Sequence, residues 1–250
     1  GLQHEDGHSH ILSSVIPNCV SYDPTYMHEV AVIVQEGMRR MFKEQENVFY
    51  YLTTMNENYA HPVMPKGVEQ GILKGMYLLK QGGKHKARVQ LMGSGTILRE
   101  VDAAAELLEK EWNVSADVWS ATSFTELRRD GLDCTRWNLY HADQKPRIPY
   151  ITRQLTNQTG PVIAATDYMK LFADQVREFV PSRFVVLGTD GFGRSDTREG
   201  LRHFFEVDRR YVVVAALKAL VDEGQLDVKK VGEAIRKYKL NPDKPNPVTV

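Results

Sequence analysis

The chain has 250 residues, enough for one large or two modest domains with a real core. Its 32 Lys and Arg balance 32 Asp and Glu, so the formal net charge is zero, which argues against a dedicated nucleic-acid binder. No apolar run approaches the ~20 residues of a membrane-spanning helix, and two cysteines, Cys19 and Cys134, make no disulfide scaffold; a cytoplasmic protein with neither nucleic acid nor membrane as partner is expected.

Residues 1–10 read GLQHEDGHSH and hold three of the eight histidines, His4, His8 and His10, beside Glu5 and Asp6. Imidazole changes charge nearest neutral pH, so proton transfer or substrate binding is the expected duty of this segment. A zinc site with carboxylate help, as in a metal-dependent hydrolase, is the lesser reading, because no HExxH signature accompanies it. A start at Gly1, inside such a motif, reads as a piece of a longer polypeptide.

Residues 15–20 form a short apolar segment. Asp23-Pro24 reads as an N-cap followed by proline at the first helical position. The helix expected over 25–42 carries Val30, Ile33, Val34, Met38 and Met41 on one face. Residues 48–54 are rich in β-formers and read as a strand. One helix and one strand are too little to bury their apolar faces, so residues 1–66 are expected to lean on protein outside this chain. Residues 56–62, then Pro65 and Gly67, form a break, and a domain boundary is placed near Lys66.

Beyond it, strands are expected at 88–92, 117–120, 162–165 and 184–187. Gly93-Ser94-Gly95 leads into a helix to about Trp112. Ser123 and Glu126 have capping-box spacing. Asp167 is expected to cap a helix carrying Met169, Phe172, Ala173, Val176 and Phe179, while Asp208 and Asp227 cap the last two helices. Residues 241–250, with three prolines, form a tail. Strands alternating with helices imply a mainly parallel sheet covered on both faces.

A glycine turn between strand and helix suits phosphate binding. Here Leu98 stands where the dinucleotide fingerprint has its third glycine, so a structural turn is expected at Gly93-Ser94-Gly95. Gly191-Phe192-Gly193-Arg194 likewise reads as a turn near a subunit contact. Cys19 reads as a small buried hydrophobe, and His28 as a surface residue. No nucleophile elbow or Walker loop is present.

Six strings carry a resemblance that spans the whole chain: GLQHEDGHSH, IPNCVSYDP, TTMNENY, TSFTELRRDG, ATDYMKLFADQVR and LGTDGFGRSDTRE. Together they resemble the C-terminal part of the first component of the bacterial pyruvate dehydrogenase complex, in its homodimeric, thiamine diphosphate-dependent form. The resemblance implies an α/β fold class: residues 67–250 form a transketolase-like C-terminal domain with a mainly parallel sheet, and residues 1–66 are the C-terminal portion of a pyrimidine-binding α/β domain. It implies oxidative decarboxylation of pyruvate, with acetyl transfer to the lipoyl group of dihydrolipoamide acetyltransferase as partner. His4 matches a catalytic histidine that handles the pyruvate-derived intermediate. Asp6 and His10 match substrate-binding positions in the transketolase relatives. Thiamine diphosphate and Mg2+ are expected to be anchored outside this chain, since the family's Gly-Asp-Gly and distant Asn are absent and Thr189-Asp190-Gly191 is not their equivalent. No residue here is assigned to cofactor or metal, and the chain alone is expected to be inactive. The alternative reading is a non-catalytic dimerisation and docking module.

Overall fold

The structure is a computed structural model of the chain and describes residues 6–250. It opens with a short helix α1 (Ser9–Ser14), strand β1 (Cys19–Tyr22), helix α2 (Met27–Met38) with a π-helical turn Arg39–Lys43, and strand β2 (Phe49–Leu52). β1 and β2 pair in parallel, from Cys19 opposite Phe49 to Tyr22 opposite Leu52. Two strands bury little: Leu12, Val15, Val34, Met38 and Phe42 stay exposed.

Helix α2 starts later than the Asp23-Pro24 signal implies. Tyr26 is the extended N-cap residue, and the Glu29 carboxylate accepts from the Thr25 and Tyr26 amides at 2.6 and 2.9 Å. Glu29 thus satisfies orphan amides that the expected cap, Asp23, does not. Asp23 turns inward instead.

The larger part follows in the order α3 (Glu69–Lys74), β3 (Tyr77–Lys80), β4 (Ala87–Gly93), α4 (Leu98–Trp112), β5 (Val114–Ser120), α5 (Phe124–Tyr140), α6 (Tyr150–Leu155), β6 (Val162–Ala165), α7 (Leu171–Asp174), β7 (Phe184–Leu187), α8 (Arg198–Phe204), α9 (Arg209–Asp222) and α10 (Lys229–Lys237). The five strands lie in the order β3-β5-β4-β6-β7. All neighbours are parallel except β3, an antiparallel edge strand on β5. The parallel strands are apolar on both faces, as a sheet covered by helices requires. Val89, Leu91, Val118 and Ile163 pack under α4 and α9, while Met92, Trp119, Val162 and Ala164 pack under α5, α6 and α7.

Expected caps are met where the helix begins at once. Ser123 Oγ accepts from Glu126 N at 3.0 Å and Asp208 Oδ1 from Arg210 N at 2.7 Å. Asp227 is not the cap of α10: Val228 stands in the N-cap position, and Asp227, one residue earlier, accepts from Lys229 N at 2.8 Å. The helix expected after Asp167 differs. It is the single turn α7 and then a 3₁₀ turn Arg177–Phe179, with Lys170 in the N-cap position. Backbone groups that would open it earlier are used elsewhere: Met169 N donates to Gly7 O at 3.2 Å, and Tyr168 O accepts from Thr189 N at 2.9 Å. Phe172, Ala173, Val176 and Phe179 are nonetheless buried.

The opening segment is docked through shared core and buried polar contacts. Val20, Tyr22 and Ile33 pack with Ile72 of α3 and Tyr77 of β3. At the centre of the joint, Tyr77 Oη and Ser120 Oγ donate to Glu29 Oε1 at 2.7 and 2.5 Å, and His28 Nε2 lies 3.0 Å from the Tyr77 hydroxyl. His28 is therefore half-buried. Exchanging one acceptor oxygen for an amide donor leaves either these two hydroxyls or the Thr25 and Tyr26 amides facing a donor. Glu29→Gln should lower stability by about 2–4 kcal/mol, read as a lower urea midpoint at unchanged m-value. An unchanged midpoint would show that this joint contributes nothing.

Candidate active site

Open parallel sheets bind ligands outside the carboxyl ends of their strands, where the strand order reverses. Here the chain passes from β4 to β5 on one side, then crosses to β6 and β7 on the other, so the reversal lies between β4 and β6. The residues just past these strands meet there, with Ser94 Oγ 3.1 Å from Thr166 Oγ1. A cleft of about 520 Å³ opens at this point. Its walls are Asp6, Asp23, residues 53–57, Thr96, Asp167, Tyr168, Thr189 and the α8 residues Arg198, Leu201 and Arg202.

The glycine turn after β4 is explained by what fills it. Gly95 has φ +48°, and a Cβ there would lie 2.5 Å from Asp23 Oδ2. Gly95 N donates to Asp23 O at 3.0 Å, and Thr25 Oγ1 donates to Gly95 O at 2.7 Å. The turn is structural, as expected, and its cradle holds a carboxyl of this same chain.

Of the three expected site residues, His4 lies outside the described residues. Asp6 stands at the rim of the cleft. Its Oδ1 accepts from the His8 and Ser9 amides at 3.1 and 2.9 Å, and its Oδ2 accepts from the Ser9 hydroxyl. Burial opposes its charge, but these donors outweigh burial and hold the carboxyl below its usual range.

His10 is fully buried in a ring of Tyr51, Tyr168 and Phe172, stacked on Phe172 at 4.7 Å. Burial pushes its pKa down to about 4, with Asp6 partly opposing, so the ring is neutral near pH 7. Its Nε2 lies 2.9 Å from Thr53 Oγ1, which donates to Asp23 Oδ1 at 2.7 Å. His10 thus lies behind the cleft wall, bonded to Thr53 and packed on Tyr168, both of which line it. Asp23 is itself buried, and burial, aided by the charges of Asp167 and Glu29, pushes its carboxyl up to about 7.

Sequence reasoning missed the far wall. Glu57 sits between Arg99, Arg202 and Arg198 at 2.9, 3.5 and 3.9 Å. Arg198 donates to Asn56 Oδ1 at 2.8 Å, and Arg202 to Thr96 Oγ1 at 2.9 Å. Tyr59 donates to Thr25 O and lies under the Arg99 guanidinium at 4.4 Å. The strings TTMNENY and GRSDTRE therefore meet across the cleft. The only signal was that both are dense in polar and charged residues. Four carboxyls and two guanidinium groups, in a cleft also lined by Met55, Leu201, Phe205 and Val207, suit a small molecule rich in oxygen. Among the described residues, no group of three or more His, Cys, Asp or Glu is placed to hold a metal ion.

The family comparisons agree with this architecture. Residues 75–208, more than half of the chain, match the family described as the transketolase-like C-terminal domain. The chain belongs to this transketolase-like family. Residues 1–62 match the pyruvate dehydrogenase E1 component middle domain. The chain is 62% identical over 252 aligned positions to the pyruvate dehydrogenase E1 component of Cupriavidus necator, covering 100% of the chain and 28% of that protein. It is 59% identical over 249 positions to that of Escherichia coli K12, covering 99% and 28%. The chain thus spans little more than a quarter of these relatives' length. Among solved structures, a transketolase from Pichia stipitis superposes with TM-score 0.62 at 17% identity, over 91% of this chain and 29% of that one. The transketolase-like fold extends to a split-gene transketolase, with TM-score 0.53 at 20% identity, over 84% and 60% of the two chains.

The neutral buried His10 makes a pH prediction. The unfolded chain takes up the His10 proton below about 6.5, the folded chain only below about 4. Between these values the unfolded state binds more protons, so His10 contributes a loss of stability as pH falls, up to about 3 kcal/mol. Urea unfolding at about pH 7.5 and about pH 4.5 should show a smaller loss for His10→Gln than for the wild type. Equal losses would mean that His10 is not buried as a neutral ring.

Proposed function

We propose that the chain is the C-terminal part of a thiamine diphosphate-dependent pyruvate dehydrogenase of the acetyl-transferring type. The parent enzyme decarboxylates pyruvate oxidatively and passes the acetyl group to the lipoyl arm of dihydrolipoamide acetyltransferase. The observation that carries this reading is the 59–62% identity to pyruvate dehydrogenase E1 components along the length of the chain. Residues 1–66 act as the end of the pyrimidine-binding domain and residues 67–250 as the C-terminal domain. A homodimer fits the exposed apolar side chains of α1 and α2, which need cover. No helix among the described residues is long and apolar enough to cross a membrane, and a cytoplasmic location completes the reading.

The residues described here do not form a cradle for the diphosphate or its magnesium, because the one strand-to-helix glycine turn of that geometry is filled by Asp23. Those groups are held from outside this chain. When bound, thiamine diphosphate supplies the electron sink for decarboxylation. The chain's own residues supply a polar wall. In this reading His4, by its match to the family's catalytic histidine, serves as a proton donor or electrostatic partner of the developing alkoxide. Asp6, with its charge fixed by the turn at Ser9, and His10, through Thr53, belong to the substrate side. A non-catalytic dimerisation and docking role is the competing description of the isolated chain.

The test uses the full-length parent with thiamine diphosphate and magnesium. His4→Ala should lower decarboxylation or acetyl transfer by roughly 10²–10³ with the melting temperature nearly unchanged. His8→Ala should have the smaller effect. A His4→Ala enzyme that turns over at the wild-type rate would remove the opening motif from the active site. A parent inert toward pyruvate would overturn the function itself.

A further inference from the structure

Helix α8 carries part of the cleft wall, and the group that holds it in place lies outside the cleft. Arg198, Leu201 and Arg202 line the cleft from the helix, while Phe205 and Val207 line it from the turn that follows. That turn ends α8 with a Schellman motif: Val207 N donates to Arg202 O at 3.0 Å, and Glu206 N to His203 O at 3.3 Å. The motif puts one residue in the left-handed region, a place that glycine usually takes. Here it is Glu206, with φ +63°. A residue with a side chain is strained there, so the turn needs support from its surroundings to keep its shape.

Lys244 supplies that support. It lies in the segment after α10, with its side chain only 16% exposed. Its Nζ donates to Phe204 O and to Glu206 Oε1, the latter at 3.2 Å, and stands 3.5 Å from His203 O. Two of these oxygens are carbonyls of the last turn of α8, where the helix dipole is negative and helical bonding runs out. The third belongs to the strained residue itself. Two rings flank the ammonium, with Nζ 5.0 Å from the centre of Phe204 and 5.8 Å from that of Tyr211.

The segment that carries Lys244 is itself seated. Pro247 is buried, and Gly191, with φ +123°, approaches the Pro247 carbonyl so closely that a Cβ would collide with it. Arg194 of the same glycine turn lies 4.2 Å from the Phe204 ring centre. Asn246 Oδ1 accepts from Val248 N at 3.1 Å. The ammonium therefore reaches α8 from a braced point.

We infer that Lys244 is a positioning residue of the cleft: from behind the wall it locks the C-terminal turn of α8 and so sets where Arg202, Phe205 and Val207 stand. Lys244 does not itself line the cleft. The choice of pyruvate as ligand rests on the function proposed above; the lock does not. In that reading the cofactor is held from outside this chain, so a displaced wall weakens substrate binding more than it slows the chemistry.

The first test is kinetic and uses the full-length parent loaded with thiamine diphosphate and magnesium. Lys244→Met keeps the apolar stem and removes the ammonium. KM for pyruvate should rise about fivefold or more, with kcat within about twofold of the wild type. Lys244→Arg can still donate to a carbonyl and a carboxylate and should recover most of the loss. Glu206→Gly added to Lys244→Met should recover it too, because glycine takes the left-handed conformation unaided. A lysine that only stabilised the domain would lower the melting temperature and leave KM of the folded enzyme unchanged. That result, or a KM defect that Glu206→Gly does not relieve, would overturn the inference. Where Lys244→Met alone does not fold, its pair with Glu206→Gly should, and a pair that also fails to fold would overturn it as well.

The second test, amide hydrogen exchange, needs neither turnover nor substrate. In Lys244→Met the amides of Glu206 and Val207 should exchange about tenfold faster than in the wild type or more, while those of β4 and β6 keep their rates. Unchanged rates at Glu206 and Val207, or an acceleration spread evenly over the sheet, would sink the lock. A parent inert toward pyruvate would refute the function proposed above and leave exchange to decide the role of Lys244.

Discussion

A buried carboxylate, Glu29, accepts four hydrogen bonds from three different parts of the chain. Two come from the Thr25 and Tyr26 amides ahead of α2, one from Tyr77 on β3, and one from Ser120 at the end of β5. Desolvating a carboxylate is expensive, and good geometry with every lone pair engaged is what offsets the cost. The interaction is therefore weak as a source of stability and strong as a source of register. Apolar packing of Val20, Tyr22 and Ile33 on Ile72 and Tyr77 would tolerate sliding. Four directed bonds to one residue would not. They fix residues 23–29 against the carboxyl end of the sheet. Asp23, and with it Thr53 and His10, comes to the cleft because Glu29 holds that stretch in place.

The sheet's reversal between β4 and β6 creates the crevice, and the opening segment decides what it is lined with. In many doubly wound domains the glycine turn at this point presents free amides to an anion. In this chain Gly95 N is engaged by Asp23 O, and the space above the glycine is taken by the Asp23 side chain. The fold keeps the favoured location and changes its chemistry, from an anion cradle to a carboxyl-lined wall. The arginines of α8 then balance Glu57 on the opposite side, and the cleft is bounded by both halves of the chain.

How much of this was legible in the sequence follows the range of each interaction. Strands 162–165 and 184–187 coincide with β6 and β7, because a run of apolar β-formers is a local signal that the parallel sheet reinforces. Ser123 and Asp208 cap the helices that follow because those helices begin at once. The Asp23-Pro24 signal is equally local, and it failed because Glu29 took the capping role while Asp23 was drawn to Thr53, thirty residues away. Asp167 failed for a similar reason, since the next backbone groups bond to Gly7 and Thr189. The histidine-rich opening brings Asp6 to the rim of the cleft but gave no sign that His10 would be sealed among aromatic rings. The Glu57–Arg198–Arg202 wall joins residues more than 140 apart, a distance across which periodicity and capping rules carry no information. Short elements such as α3, β3, α6 and α8 were too brief to show a period.

The pairing of His10 with Asp23 inverts the usual order of acidity. In water a histidine binds its proton more tightly than an aspartate by more than two pK units. Here burial lowers the histidine to about 4 and raises the aspartate to about 7. Between those values both groups are neutral, and the proton rests on the carboxyl. An ion pair in the same place would have gathered its donors toward the carboxylate. The neutral pair can be held by the Thr53 hydroxyl between its members and Ser94 beside Asp23, because neither end needs the three or four partners that a buried charge demands. The two buried carboxyls lie six residues apart on one segment: Glu29 accepts from two amides and two hydroxyls, while Asp23 meets only the Thr53 and Ser94 hydroxyls among the described residues, and other carboxyls. The number of donors that the fold brings to each decides which of them fixes the structure and which keeps its proton up to about pH 7.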